Sequence, residues 1–373
     1  MPQPAHFPTA IDNAYAGTDP GAFAGALGID VRKILALERT IFSDLSDTPG
    51  GICWWPETID LDRRVRISDY LFRVTASIST NLIEAQLHLI ELRHWEEVDA
   101  RRFGDAVVID NGRPVVRLPR STRPADDLPA AMTDMHQAGI ARSLGSALDC
   151  VGGMLVGVLA LPLPIVTASY QTTMKAIGTR AKSSLSSESI EVAQRVLDLA
   201  TNSGPPGWIA WVLHFRNTLV HRARPISINE IQPTSKLYGP NDQPIVRVRP
   251  IELLAANPHW SDVDAFAAGR AGAGPREAIT LSEPAGLTLE ESVRSAAELV
   301  TSIAVQASQH WEWRKDNPRN VSQPASQWSS EPPAPIGFAG FDQGRVAFTP
   351  SQMISHSEFA LRMQAAHLFD HQQ

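Results

Sequence analysis

Arg216, Asn217 and His221, with Arg222 and Arg224 just beyond them, are the residues whose types and spacing best suit chemistry in this chain. They close the stretch Trp211–Pro225, an apolar run that turns abruptly basic. From Leu199 to Asn229 there is no acidic residue, although the 373-residue chain has 40 acidic against 33 basic residues and a formal net charge of −7. A guanidinium offers phosphate oxygens a permanent, fork-shaped set of donors. An imidazole exchanges a proton near neutral pH. With an amide beside them, these groups suit cleavage of an RNA phosphodiester without a metal.

Helix geometry limits how they can meet. Asn217 and His221 are four apart and share one face, a turn apart. Arg216 and His221 are five apart, roughly 140° around the axis. A common site therefore needs a long reach by the arginine, a distorted helix end, or a second subunit. Pro225 forbids regular helix and pushes Arg224 toward an extended conformation. His221 thus falls in or near the last turn, where the negative end of the helix dipole favours imidazolium. That suits a general acid, or a histidine alternating between base and acid.

An apolar helix carrying arginine, then a polar residue, then histidine after four intervening positions resembles the HEPN superfamily. Here Arg216 and His221 match the R-x4-H signature, and Asn217 is the polar residue after the arginine. Trp208, Ile209, Trp211, Val212, Leu213, Leu219 and Val220 form its apolar flanks. The resemblance is confined to this stretch and reaches no other part of the chain. It implies a helical bundle that acts as a metal-independent endoribonuclease of the toxin or phage-defence type, with paired motifs forming one cleft in a homodimer. RNA would be the substrate, no cofactor would be needed, and an antitoxin or defence-system protein would be a possible partner. The expected roles are His221 as general base or acid, Arg216 stabilising charge on the transferring phosphoryl group, and Asn217 positioning the imidazole or a phosphate oxygen. Arg222, Arg224 and Arg180 would hold flanking phosphates.

A second class fits the same residues: a non-catalytic helical module binding a partner protein or nucleotide. Arg216 then runs along the surface, and His221 with Arg222 complements the helix C-terminus. The two classes differ in whether Arg216, Asn217 and His221 share a solvent-open cleft.

Composition narrows the remaining choices. Hydrophobic content of 43% and charged content of 20% are those of a soluble globular protein. The net negative charge argues against coating nucleic acid by bulk charge, so any RNA contact must be local. Two cysteines, Cys53 and Cys150, are too few for a disulfide framework or a cysteine zinc site. The start, Met1-Pro2-Gln3-Pro4, lacks signal-peptide features, giving the expectation of a cytoplasmic protein without a membrane partner. Cys150–Val166 is uncharged and apolar but short and holds Pro162 and Pro164, so it reads as a buried core segment. No Gly-x-Ser-x-Gly or Gly-x-Gly-x-x-Gly occurs. The adjacent pairs Glu96-Glu97 and Glu290-Glu291 point to different helix faces. His367 and His371 stand at the extreme C-terminus, and His259, Asp262 and Asp264 read as loop and capping residues, so no metal site is expected.

The elements that would position the motif are mainly helical, giving a helical bundle with an inserted β-hairpin and small irregular additions. Residues 1–62 read as one short helix and loops, with Val31, Ile34, Leu35, Ile41 and Leu45 on a stripe. The bundle spans 63–315. Ile67, Leu71, Val74, Ile78, Leu82, Ala85, Leu89 and Leu92 recur at spacings of four and three, predicting a helix over 63–97. Two β-prone runs around Asn111-Gly112 predict a hairpin at 106–117. A helix over 128–161 carries Met132, Met135, Leu144, Leu148, Val151 and Leu155, and its glycines suggest close packing against another helix, including one across a dimer interface. Helices over 187–201 and 208–222 follow. The segment 226–286 reads as loops with one strand at 245–249. Thr288 to Glu291 has the form of a capping box opening a helix to about 313. Residues 316–373 read as a linker and a tail.

Overall fold

A computed structural model describes residues 20–44, 61–111, 113–116, 128–179, 185–205, 207–221, 228–238, 244–251 and 285–317. The protein is mainly α. Its helices are α1 (Pro20–Ala26), α2 (Arg32–Asp44), α3 (Leu61–Ala106), α4 (Leu128–Leu159), α5 (Tyr170–Thr179), α6 (Ser187–Asn202), α7 (Trp208–His221) and α8 (Ala285–Asp316). Strands β1 (Val107–Asp110) and β2 (Arg113–Val116) pair antiparallel, Val107 opposite Val116, with Asn111 between them at φ 49°. Strands β3 (Ile228–Tyr238) and β4 (Pro244–Ile251) form a second antiparallel pair, Ile228 opposite Ile251, with an irregularity between Pro233 and Tyr238. The sequence pattern anticipates only the second of these strands. Pro233 cannot donate to a ladder and masks the first.

The chain divides into two compact units. One comprises Met1–Ile29, Asn81–Gly145 and Gly204–Ala297; the other Asp30–Thr80, Ser146–Ser203 and Glu298–Gln373. The long helices α3, α4 and α8 contribute a segment to each.

In the first unit the regular stripe of α3 does what its spacing requires. Leu82, Ala85, Leu89 and Leu92 are buried, together with Ile140 and Leu144 of α4, Trp208, Val212 and Phe215 of α7, and Leu289 and Val293 of α8. Each fully buried leucine contributes about 2 kcal/mol through the apolar area it removes from water. Helix α1 ends at Gly28, whose φ of 82° lets the Ile29 N–H turn back to the Ala24 carbonyl. The Leu27 carbonyl accepts from the Gln86 side chain at 2.8 Å.

Two expectations fail in this unit. Met135 is 45% exposed, while Thr133, His136 and Gln137 on neighbouring positions are buried. From His136 to Gly145 nearly every position of α4 is buried, so the helix has no single apolar stripe. Thr288 is not a cap, because α8 already begins at Ala285. The carboxylate of Glu96, on α3, accepts from the Gly286 N–H at 3.0 Å and satisfies the helix start from outside. Arg93 forms an ion pair with Glu290 beside it.

In the second unit Ile34, Leu37 and Ile41 of α2 are buried with Leu71 and Ile78 of α3, Leu148, Val151 and Leu155 of α4, Val196 of α6, and Val300, Ile303 and Trp311 of α8. Ser186 caps α6 by accepting from the Ser189 N–H at 3.1 Å. The glycines of α4 serve packing within the chain. A Cβ at Gly157 would meet the Leu71 side chain, one at Gly153 would meet Val74, and one at Gly152 would meet the Ser169–Tyr170 backbone. Among the described residues α4 is the one helix long and apolar enough to cross a membrane, and 78% of its apolar window is buried.

Candidate functional site

Helix α7 is set by the residues before it. Gly204 and Gly207 take φ of 62° and 83°, conformations that side chains rarely adopt, and the Trp211 N–H closes back on the Gly207 carbonyl at 3.0 Å. A Cβ on Gly204 would also strike the Ser295 hydroxyl and the Trp208 ring nitrogen. From this start Trp208, Val212 and Phe215, four and three apart, fall on one buried face. Trp211 stacks on Phe215, centroids 5.2 Å apart and planes at 24°.

Arg216 and Asn217 stand at the edge of that face. Asn217 is exposed and Arg216 half-buried. The Arg216 Nε donates to Asn217 Oδ1 at 3.3 Å, so the amide and the guanidinium act as one polar unit. The aliphatic stem of Arg216 lies against the backbone of α4. A Cβ on Gly145 would collide with Arg216 Cδ and sit 3.1 Å from Nε. The missing side chain at position 145 is therefore what lets Arg216 lie where it does, and nothing in the motif itself points to that glycine.

Helix α7 ends at His221, in the last turn. The His221 side chain lies outside the described residues, as do Arg180, Arg222 and Arg224. The structure thus brings Arg216 and Asn217 together. The convergence of His221 on them stays an inference from spacing.

Four titratable groups, Glu96, His88, His136 and His310, have partners remote along the chain that the sequence does not show. Glu96 is pushed up to about 7 by burial, against the opposing pull of the Gly286 N–H and Arg93. His88 and His136 face each other with Nδ1 atoms 2.9 Å apart, one donating to the other. Burial, then the charge of His88, holds His136 below its ordinary value. In the second unit, His310 lies 3.1 Å from the Ser189 hydroxyl and stacks on Trp313. Burial, reinforced by the Arg314 charge, pushes it down to about 4.

A groove of about 440 Å³ opens between α6 and α8 in the second unit. Arg195, Asp198, Asn202 and Glu298 ring it over Leu199 and Leu299. Two carboxylates against one guanidinium make it a poor collector of phosphate. Among the described residues no group of three or more His, Cys, Asp or Glu side chains is placed to hold a metal ion. No family model, curated protein or solved structure matches this chain.

Proposed function

We propose that the protein is a metal-independent endoribonuclease of the HEPN kind, of the toxin or phage-defence type, with its site at the end of α7. The observation that carries this reading is the pairing of Arg216 with Asn217 at the surface of α7, next to the helix terminus that holds His221. A binding module that used these residues for packing would favour an arginine sealed in the core. Arg216 is only half-buried and Asn217 is exposed.

In this reading His221 takes the proton from the ribose 2′-OH or returns one to the leaving 5′-oxygen. Arg216 stabilises the charge that builds on the phosphoryl group. Asn217 holds the arginine and presents its amide N–H to a phosphate oxygen, while Arg222, Arg224 and Arg180 hold flanking phosphates. The nucleophile is already part of the substrate, so proximity supplies much of the rate.

The angular offset of Arg216 and His221 supports a homodimer whose two α7 ends complete one cleft. Sedimentation at micromolar protein should show a dimer; a monomer with full activity would exclude a shared cleft. The function itself is tested by incubating purified protein with bulk cellular RNA in EDTA, beside the His221→Ala variant. Cleavage by the wild type alone is expected, and equal cleavage by both would overturn the assignment.

A further inference from the structure

The groove between α6 and α8, at about 440 Å³, is of the size that holds small molecules. Ser189 meets His310 at one end of these helices, and the groove joins α6 from Arg195 onward to α8 before Gln306, so the two run antiparallel. Arg195 and Gln306 therefore stand at the end toward His310, Asn202 and Glu298 at the far end, and Asp198 between them. The charge of Arg195 acts on His310, as that order requires. Arg195 and Asn202 are two turns apart, roughly 10 Å along the helix.

The hydrogen-bonding groups of the groove are lopsided. The Asn202 amide donates to the Asp198 carbonyl at 2.8 Å, and the Ser302 hydroxyl donates to the Glu298 carbonyl at 2.8 Å. These donors are spent within their own helices. Acceptors remain: the carboxylates of Asp198 and Glu298, the Ser302 oxygen, and Gln306, whose buried Oε1 has no hydrogen-bond partner among the described residues. Gln194 donates to Asp198 Oδ1 at 3.0 Å and steadies that carboxylate without neutralising it. Leu199 and Leu299 supply an apolar floor.

We propose that this groove binds an aliphatic polyamine. Its methylene chain lies over Leu199 and Leu299, and its ammonium groups meet Asp198 and Glu298. An ammonium group brings charge and N–H donors and no acceptor, the complement of what the groove offers. Carboxylates carried by two different helices suit more than one cationic centre on a single chain. Arg195 repels such a ligand from the end toward His310 and biases it to the far end. A hydrated inorganic cation would use the carboxylates and gain nothing from the two leucines. The proposal is independent of the chemistry assigned to α7, and either can fail alone.

The test titrates spermidine into the full chain by isothermal calorimetry at low salt and neutral pH. Saturable binding of one spermidine per chain is expected. Asp198→Asn and Glu298→Gln should each weaken it roughly threefold to fivefold, the range of a solvent-open ion pair, and the double variant by about tenfold or more. Asp198→Asn still accepts from Gln194, and all the positions changed in this test are exposed, so the melting temperatures should hold. Arg195→Gln should tighten binding by a similar factor, because it removes a like charge. Glu84→Gln, which removes an exposed acid of the first unit, should leave the affinity unchanged. Inorganic phosphate should give no binding heat. Absence of saturable binding, or wild-type affinity in the double variant, would overturn the site. Equal weakening by Glu84→Gln, or displacement of spermidine by magnesium at equal charge, would show a diffuse counterion effect and overturn it as well. Weaker binding in Arg195→Gln, or saturable binding of phosphate, would show that the groove takes an anionic group, and would overturn the polyamine assignment.

Discussion

Arg314 closes the C-terminal end of α4, its Nη1 lying 2.6 Å from the Gly157 carbonyl oxygen and 2.7 Å from that of Val158. The last carbonyls of a helix have no intrahelical donor and carry the negative end of its dipole. A buried cation is the complementary partner for them, and the guanidinium also lies 5.3 Å from the Trp311 ring centroid. Burial pushes Arg314 down to about 9, so it remains charged at neutral pH. Arg314→Met keeps the stem but orphans the Val158 carbonyl and leaves that of Gly157 with only the Ala160 N–H at 3.4 Å, and we expect it to cost roughly 2 kcal/mol of stability. A denaturant midpoint equal to that of the wild type would refute the capping role.

Glu96 should make stability fall as pH rises. Its folded value of about 7 lies above the ordinary 4.5, so the folded state binds its proton more tightly. The contribution is complete below about pH 4.5, declines up to about pH 7, and is flat beyond. Glu96→Gln keeps an acceptor for the Gly286 N–H without a charge to bury. Its melting temperature should exceed that of the wild type at about pH 8, by on the order of 1–3 kcal/mol in stability, and the gap should close near pH 4.5. A gap that stays constant with pH would show that ionisation of Glu96 costs the fold nothing.

His310 acts in the opposite sense. Its folded value of about 4 lies below the ordinary 6.5, so the unfolded chain takes up its proton first. Stability is present above about pH 6.5 and is lost as pH falls toward 4. His310→Gln can still bond to the Ser189 hydroxyl but does not titrate. Thermal melts should show the variant gaining on the wild type through that window. His136 is depressed for the same reason and shares the direction, with a facing nitrogen of His88 that leaves room for one proton between them. Parallel melting curves for wild type and His310→Gln from about pH 7 to 4 would contradict this assignment.

The helical frame was legible because burial imposes a period. Leu71, Val74, Ile78, Leu82, Ala85, Leu89 and Leu92 recur at helical spacing and all are buried. The pattern fades where a helix is enclosed on nearly every side. On α4 the periodic Met135 turns outward while His136 and Gln137 turn in. Local rules also yield to remote partners. Thr288 and Glu291 have the form of a capping box, yet Glu96, 190 residues away from Gly286, satisfies the start of α8. The candidate site shows the same division. Arg216 and Asn217 are visible as neighbours in the chain, whereas Gly145 gains its role only from the passage of the Arg216 stem over α4.

The cleavage products give the sharpest test of the chemistry proposed for α7. Attack by the ribose 2′-oxygen forms its new bond to phosphorus as the bond to the 5′-oxygen breaks. The 2′-proton leaves to a base, and a proton returns to the departing 5′-oxygen. The products should therefore carry 2′,3′-cyclic phosphate and 5′-hydroxyl ends, and DNA, which lacks the 2′-hydroxyl, should be spared. EDTA should not slow the reaction, because charge on the phosphoryl group is met by Arg216. Removing a general acid–base group costs on the order of a hundredfold or more in rate. His221→Ala and Arg216→Ala should thus abolish cleavage. Both should melt near the wild-type temperature: Arg216 is only half-buried, and His221 is the terminal residue of its helix. End-group analysis showing 3′-hydroxyl products, or cleavage of DNA, would point to attack by a water molecule and not by the 2′-oxygen; loss of activity in EDTA would show that a metal ion is required, and either result would remove Arg216 and His221 from the roles given to them.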